Sequence, residues 1–258
     1  MPAEDGFVDL ARFYDAIMSH VDYDRWRLVT MALSELLPRP FVHLDTACGT
    51  GVLLKRLRAD GWDSLGLDLS YAMVRQGRRH NPAPAAVADL RALPVAGSID
   101  YATCLFDSVN FLLDETDLRE TMGQFAAALR PNGLLYFDIV TERMVLEHFA
   151  GQTWTENSGR LATSWSCSYD RNTHVAESRI RVNNGPVCTI RERIYDREVV
   201  EDALAKAGFE ILAIADAESW RPPRKQSVRI DFVAVNGDAG FYAKAFRKVR
   251  GTVRGLFV

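Results

Sequence analysis

This sequence predicts an α/β fold, a largely parallel sheet covered by helices on both faces, and three observations predict it. The stretch His43–Leu54, HLDTACGTGVLL, joins a short apolar strand to a helix through a glycine turn, as the first half of a βαβ unit does. Strand-like and helix-like segments then alternate as far as residue 140, the order that builds a parallel sheet. From 150 to 195 the pattern changes to long β-like runs, which predict a separate antiparallel insert.

Residues 8–37 carry apolar side chains at helical spacing, Val8, Leu10, Phe13 and Ile17, then Trp26, Val29, Met31, Leu33, Leu36 and Leu37. Pro38 and Pro40 stop that pattern, so two helices precede the first strand. The elements expected next are strand 41–46, helix 51–60, strand 63–67, helix 70–79, strand 85–88, strand 99–105 and helix 115–130. Pro131-Asn132-Gly133 reads as a helix stop and turn before the strand Leu134–Val140. A short helical piece at 141–149 leads into the runs Thr153–Glu156, Leu161–Tyr169, His174–Val182 and Val187–Tyr195, with Asn183-Asn184-Gly185-Pro186 as one connecting turn. In the third run His174, Ala176, Ser178, Ile180 and Val182 alternate with Val175, Glu177, Arg179 and Arg181, as in a sheet wetted on one face. Helix 197–207 ends at Gly208, a C′ glycine, before the strands Phe209–Ala215 and Ser227–Val235. The tail Phe241–Val258 holds Lys244, Arg247, Lys248, Arg250 and Arg254 and no acid. It is expected to form an amphipathic helix with Phe241, Phe246 and Leu256 packed on the body; weak contact with a membrane or an acidic macromolecule is the alternative.

At 258 residues with 48% hydrophobic content, the chain is long enough for one large α/β domain carrying an inserted subdomain. A formal net charge of −3 argues against the concentrated basic stripe that nucleic-acid binding requires, so a small-molecule partner is expected and no nucleic acid. Cys48, Cys104, Cys167 and Cys188 show no CxxC spacing; free thiols in a reducing cytosol fit them, and no metal site is expected. Acidic residues precede any apolar run at the N-terminus, and no stretch approaches 18 uninterrupted apolar residues. Neither a secretory signal nor stable membrane insertion is expected, and the reading is cytoplasmic.

The glycine turn narrows the ligand. A dinucleotide cradle would carry a third glycine where Leu54 stands, and a P-loop would be followed by a Lys-Ser or Lys-Thr pair, which is absent. A ligand without phosphate is therefore favoured. Asp45 sits where the first strand emerges, and Asp68 ends the apolar segment Leu65–Leu67, where a ribose-binding carboxylate belongs in a βαβ unit. A strand-end aspartate also serves as a helix cap; register with the glycine turn favours the ligand role.

Asp45-Thr46-Ala47-Cys48-Gly49-Thr50-Gly51 resembles motif I of the class I S-adenosylmethionine-dependent methyltransferases. The resemblance extends in order to Gly66-Leu67-Asp68-Leu69-Ser70 with Met73, Ala88-Asp89-Leu90, Phe106-Asp107-Ser108-Val109-Asn110 and Leu129-Arg130-Pro131-Asn132-Gly133-Leu134. It covers residues 43–140, and Tyr195 through Val235 resembles the family's closing helix and edge strands. One departure is Ala47, where many members have glycine. The resemblance implies a Rossmann-like fold with a seven-stranded, mostly parallel sheet, and S-adenosyl-L-methionine as cofactor. It divides the chain into an N-terminal helical lid (1–40), a cofactor-binding core (41–149), an antiparallel insert acting as substrate lid (150–195), a closing helix and edge strands (196–236) and a basic tail (237–258). It places Ala47, Gly49 and Gly51 against the methionine part, with Asp45 near its amine; Asp68 on the ribose hydroxyls; Leu69 and Met73 beside the adenine; Asp89 on the adenine amine, with a backbone donor from Leu90; and Leu105, Phe106 and Ser108 at the methyl-donor end. Tyr14, within a segment similar to the N-terminal lid of bacterial small-molecule methyltransferases, would cover the cofactor's carboxylate. Trp26 shares that segment. The insert is similar to the lid of enzymes that methylate amino sugars and related natural-product scaffolds.

Methyl transfer from a sulfonium needs orientation and exclusion of water rather than a universal catalytic residue. An oxygen or carbon acceptor would benefit from a base, and His20, between Tyr14 and Tyr23, is the first candidate; a solvated helix-end histidine is the alternative. His174 is a second, more distant one. His43 and His80 read as structural and His148 as a surface residue. Asp107, Asn110 and Arg193 could also face the acceptor, and Trp154, Trp165, Tyr169 and Arg179 on the insert point to an aromatic or glycosylated one. Two other readings stay open, a non-catalytic S-adenosylmethionine-binding module and a macromolecule methyltransferase, as does a homodimer.

Overall fold

The computed structural model describes residues 5–80, 84–158 and 161–257. Helices α1 (Tyr14–Ile17) and α2 (Tyr23–Ser34) come first, followed by β1 (His43–Thr46), α3 (Val52–Ala59), β2 (Ser64–Asp68), α4 (Tyr71–His80) and β3 (Ala85–Val87). Next come β4 (Ile99–Cys104), α5 (Glu115–Ala128), β5 (Leu129–Val140) and α6 (Glu142–His148). The strands β6 (Thr153–Ser158), β7 (Leu161–Asp170), β8 (Val175–Val182) and β9 (Val187–Arg193) precede α7 (Arg197–Lys206), β10 (Phe209–Asp216), β11 (Arg229–Asn236) and α8 (Ala243–Gly255).

Seven strands form one sheet in the order β10-β11-β5-β4-β1-β2-β3. Only β11 runs against its neighbours, antiparallel to both β5 and β10. The expected Rossmann-like, mostly parallel sheet is thus the observed one. The strand order reverses between β1 and β4, and at such a switch point the crevice beyond the strands' carboxyl ends is where α/β folds bind ligands. Alternation along β5 feeds two cores. Leu135, Phe137 and Ile139 enter one with Leu118, Met122 and Phe125 of α5 and Val200 and Leu204 of α7. Leu134 and Tyr136 enter the other with Val29 and Leu33 of α2, Leu57 of α3 and Phe246 and Val249 of α8. Each large apolar side chain so buried contributes roughly 1.5–3 kcal/mol relative to exposure.

The four strands β6 to β9 form their own antiparallel sheet. On β8, Ala176, Ile180 and Val182 are buried while Arg179 and Arg181 are exposed, the alternation expected of a sheet wetted on one side. The N-terminal segment lies on its inner face: Leu10 is buried with Ile180, Val182 and Cys188, and Phe7, Phe13 and Ile17 pack around them. Gly6 permits this, since a Cβ there would fall 2.5 Å from the Thr189 carbonyl oxygen.

Three expectations need correction. The first of the two N-terminal helices is a single turn, α1, continued by a 3-10 turn at Met18–His20. Pro131-Asn132-Gly133 does not separate helix from strand: α5 stops at Ala128 and β5 begins at Leu129, taking up the tripeptide with Asn132 at φ 62° and a register shift against β4. In the tail, Phe246 packs, but Phe241 and Leu256 are 66% and 40% exposed. The buried stripe of α8 is Phe246, Val249 and Val253, whose spacing of three and four keeps them on one helical face, which Phe241, preceding the helix, does not share. Among the described residues no helix is long and apolar enough to cross a membrane.

Candidate active site

The crevice at the switch point is built first by the loop after β1. Ala47, Gly49 and Gly51 have φ of 54°, 57° and 77°, so the chain turns through left-handed conformations before Gly51 opens α3. The Asp68 carboxylate at the end of β2 locks this loop, its Oδ2 accepting from the Gly49 amide at 2.7 Å and its Oδ1 from the Ser70 amide at 2.8 Å. Two glycines let neighbouring elements close on the loop. A Cβ at Gly66 would lie 2.5 Å from Leu54 Cδ1, and one at Gly77 would lie 2.6 Å from the Thr50 carbonyl oxygen. Gly77 was not among the expected site residues; its signal is a glycine inside an otherwise helical run, which marks close packing.

Asp45 is buried at 3% exposure, its Oδ1 accepting from Thr103 Oγ1 at 2.6 Å. Burial, helped by the nearby Asp68 charge, pushes its carboxyl up to about 7 against the Thr103 bond. Burial likewise pushes Asp68 up to about 6, opposed by its two backbone bonds. Asp89 is different. Arg91 binds both its oxygens, at 2.7 Å from Nη2 to Oδ2 and 3.0 Å from Nε to Oδ1, and holds it below the usual carboxylate range. Leu69, 47% exposed, Met73, 3% exposed, and Leu90 line the same cavity as these three carboxylates.

On the far side, Leu105, Phe106, Asp107 and Ser108 follow β4 into the cavity wall. Phe106 and Asp107 are consecutive left-handed residues, φ 62° and 53°, conformations that non-glycine residues hold only where the surroundings impose them. Asp138 on β5 imposes this one: its Oδ1 accepts from the Phe106 amide at 2.7 Å and its Oδ2 from the Asp107 amide at 3.1 Å. Asp138 also accepts from Trp26 Nε1 at 3.2 Å and pairs with Arg229 Nη1, and Arg229 Nη1 lies 3.3 Å from Asp107 Oδ1. From the insert, Glu192 hydrogen-bonds Asp107.

The N-terminal segment closes the cavity. Thr50 of the glycine loop donates to Asp15 of α1, and the Tyr14 and Tyr23 hydroxyls hydrogen-bond one another. Burial raises the Tyr14 phenol well above its ordinary value, as do Tyr23 and the charges of Asp107 and Asp68, so the hydroxyl stands between the carboxylates of the two sides. Tyr23 and Trp26 pack on Phe106, ring centroids 6.1 and 5.2 Å away.

Residues 44–133 match the family model described as Methyltransferase domain. This chain therefore carries a methyltransferase domain, and it is similar in sequence to proteins named as methyltransferases. A Bacillus subtilis protein named "Putative methyltransferase YqeM" is 28% identical over 236 residues, covering 87% of this chain and 94% of that protein. A dTDP-3-amino-3,6-dideoxy-alpha-D-glucopyranose N,N-dimethyltransferase from Streptomyces fradiae is 32% identical over 139 residues, 52% of this chain and 54% of that enzyme. Among solved structures, an S-adenosylmethionine-dependent methyltransferase from Clostridium acetobutylicum superposes with a TM-score of 0.78 at 23% identity, covering 89% of this chain and 98% of that one. Streptomyces venezuelae DesVI superposes at 0.70 with 22% identity, covering 88% and 98%. The protein is an enzyme whose methyl donor is S-adenosyl-L-methionine.

In this methyltransferase one cavity of about 840 Å³ collects Tyr14, His20, Asp45, Ala47, Gly49, Asp68, Leu69, Met73, Asp89, Leu90, Leu105, Phe106 and Ser108. Gly51 lies between the lining residues Thr50 and Val52, at the N-cap of α3. His20 is exposed on the cavity rim, its ring Nδ1 3.1 Å from the Ile17 carbonyl oxygen. His174 and His148 are exposed and outside the lining, and His80 is exposed at the end of α4. His43 is 1% exposed, its ring nitrogens 2.9 Å from Ser64 Oγ and 3.1 Å from Thr103 Oγ1; burial lowers it to about 3, which keeps it neutral and structural. Asp107 faces the cavity, whereas Asn110 spends its amide on the Arg193 carbonyl and the Val140 amide, at 2.8 and 3.0 Å. Arg193 turns to Leu113 and Glu115. Trp154 and Trp165 stack at 5.4 Å on the lining face of the insert; Tyr169 and Arg179 lie outside it. Asp138, Arg229 and Glu192 were not among the expected site residues.

Proposed function

We propose that this methyltransferase methylates a small-molecule acceptor held between the glycine loop and the antiparallel insert. The observation that carries the reading is the continuity of the cavity, which runs from Asp68, Met73 and Asp89 past Phe106 to Trp154, Trp165 and Glu192. Leu10 and Ile180, which line it, pack together where the N-terminal segment meets the insert. A volume of about 840 Å³ suits two small molecules end to end. The S. fradiae relative is by name a methyltransferase of a nucleotide-linked amino sugar, which supports an acceptor of that size. The insert, residues 150–195, serves as the acceptor's lid.

The residues present fit the methyl donor. Left-handed backbone at Ala47 and Gly49 opens the loop for close approach, and Asp68, already fixed by two amides, keeps lone pairs for the ribose hydroxyls. Asp45 stands behind the loop for the amine, Tyr14 covers the carboxylate, Leu69 and Met73 flank the adenine, and Asp89 and Leu90 meet its edge. The bound donor supplies an electrophilic methyl group on a sulfonium sulfur. Leu105, Phe106 and Ser108 shape the wall at that end, and the lid excludes water, so that orientation supplies most of the rate. Four free cysteines, Cys48, Cys104, Cys167 and Cys188, fit work in a reducing compartment such as the cytoplasm.

Calorimetry with S-adenosylhomocysteine tests the site. Binding with a dissociation constant below about 100 µM is expected, followed by transfer of labelled methyl groups to small acceptors. Absence of binding overturns the proposal, and binding with transfer only to protein or nucleic acid overturns the small-molecule reading.

A further inference from the structure

The acceptor end of the cavity holds two carboxyl groups that the methyl donor's binding does not use. Asp107 and Glu192 come from different sheets and hydrogen-bond one another, and both line the cavity. Two carboxylates at hydrogen-bond distance cannot both carry full charge, so the pair keeps one proton between them. Burial, together with the neighbouring Asp107, raises Glu192, and burial raises Asp107 against the pull of Arg229. The other groups facing the pair leave that charge uncompensated. Arg229 is held ionised by Asp107 and Asp138 despite its burial, and Asp138 matches its charge. Tyr14, Tyr23 and Cys167 are all raised and stay neutral. One proton on two carboxyls plus one Arg–Asp couple leaves a net charge of about −1. The rings of Trp26 and Phe106 nearby are already faced by the Arg229 guanidinium at 5.6 Å, so it is the unmatched carboxylate charge, in a cavity of low dielectric, that attracts a cation.

We propose that the Asp107–Glu192 pair receives an amine acceptor as its ammonium ion and takes a proton from it, which fixes the substrate class of this enzyme as primary or secondary amines. The inference rests on reading this cavity as the methyl-transfer site. The N–H bond of the ammonium breaks and its proton passes to the Asp107 carboxylate, leaving both acids protonated and the nitrogen lone pair free. The nitrogen–carbon bond then forms with that lone pair while the carbon–sulfur bond breaks, its electron pair returning to sulfur. Positive charge thus moves from sulfur to nitrogen, and the pair then releases to solvent the proton it took, which restores its negative charge beside the methylated ammonium. An acceptor oxygen that becomes anionic before attack would instead be repelled by the same carboxylates.

The test uses the full chain with cyclohexylamine, benzylamine and glucosamine as probes against cyclohexanol, benzyl alcohol and phenol. The wild type is expected to methylate amines and to leave the oxygen acceptors untouched. In Glu192→Gln, S-adenosylhomocysteine binding is expected to stay within about threefold, while kcat/KM for the amine falls about 100-fold at pH 7. That loss shrinks as pH rises past the amine's own pKa, because solvent then supplies the neutral amine; a merely structural role would give a loss independent of pH. If Glu192→Gln does not fold, the wild-type panel still decides. Selective turnover of oxygen acceptors, no turnover of any amine by a protein that binds S-adenosylhomocysteine, or a pH-independent loss in the variant overturns the inference. Failure of S-adenosylhomocysteine to bind the wild type instead overturns the functional proposal beneath it.

Discussion

Asp68→Asn pulls apart two effects that the wild-type carboxylate combines. In the structure each oxygen of Asp68 accepts one backbone amide, Gly49 at 2.7 Å and Ser70 at 2.8 Å. An asparagine offers one oxygen, so one of the two N–H groups faces an NH₂ group and loses its partner. A hydrogen bond to a charged group is worth about 1.5–3 kcal/mol, and because the Gly49 amide sets the loop against the methyl donor, the loss is expected in binding. At about 1.4 kcal/mol per decade, affinity for S-adenosylhomocysteine falls roughly 10- to 100-fold, measured by calorimetry at pH 8. Stability follows the other direction. Burial raises the folded-state pKa of Asp68 from 3.8 to about 6, so its contribution is fully present below the unfolded value and is lost as pH rises through 6. The difference is at most about 3 kcal/mol, and an asparagine does not undergo it. The stability of the wild type relative to Asp68→Asn is therefore expected to decline between about pH 4 and 6 and to level off above that in parallel thermal melts. A dissociation constant within threefold of wild type, or a relative stability that grows with pH, would refute the reasoning.

Ala47→Gly removes a Cβ from a residue at φ 54°; relief of left-handed strain outweighs the added unfolded-state entropy, and a gain of about 0.5–1 kcal/mol in urea unfolding is expected. Gly77→Ala brings a Cβ to 2.6 Å of the Thr50 carbonyl oxygen; overpacking costs about 1–3 kcal/mol, and S-adenosylhomocysteine affinity drops because α4 is pushed off the loop. His43, lowered to about 3 by burial, contributes stability that is full above pH 6.5 and is lost as pH falls toward 3. His43→Gln, which keeps polar atoms for Ser64 and Thr103 but does not titrate, is expected to flatten the acid limb of a stability–pH curve; an unchanged limb would contradict the assignment.

What was legible in the sequence is what local pattern determines. The glycine turn fixes where β1 ends and α3 begins, and Asp68 and Asp89 follow at distances set by one βα unit each, so their meeting in one cavity could be anticipated from the sequence. The insert was legible as a sheet because alternation needs no tertiary information, and on β8 Ala176 and Ile180 fell on the buried face. Its pairing with Asp107 was not, since Glu192 meets that residue only after two sheets dock. Asp138 and Asp231 left a signal that went unused: each interrupts an apolar strand, LLYFDIV and IDFVAVN, and a charge in a strand buried on both faces requires a partner. The partners, Arg25 and Arg229, are 206 and 91 residues away in sequence, and no local pattern names them.

Those two aspartates tie α2 and the Phe106–Asp107 turn to one sheet. Asp138 on β5 and Asp231 on β11 stand directly opposite in the antiparallel register, both fully buried, an arrangement that like charges destabilise unless each is matched. Asp231 is matched by Arg25 of α2 at 2.6 Å, with Trp220 Nε1 at 2.9 Å and the Tyr136 hydroxyl at 3.3 Å. Asp138 is matched by Arg229, which continues to Asp107. Helix α2 is therefore anchored to the sheet by a buried charge, and the neighbouring charge holds the Phe106–Asp107 turn in its left-handed shape. Removing one partner of such a pair leaves an uncompensated buried charge; hydrophobic packing of α2 alone would fix the helix but not the angle at which Tyr23 and Trp26 meet Phe106. The polar quartet thus sets the geometry of the cavity wall at Phe106, while the apolar cores on either face of the sheet supply its stability.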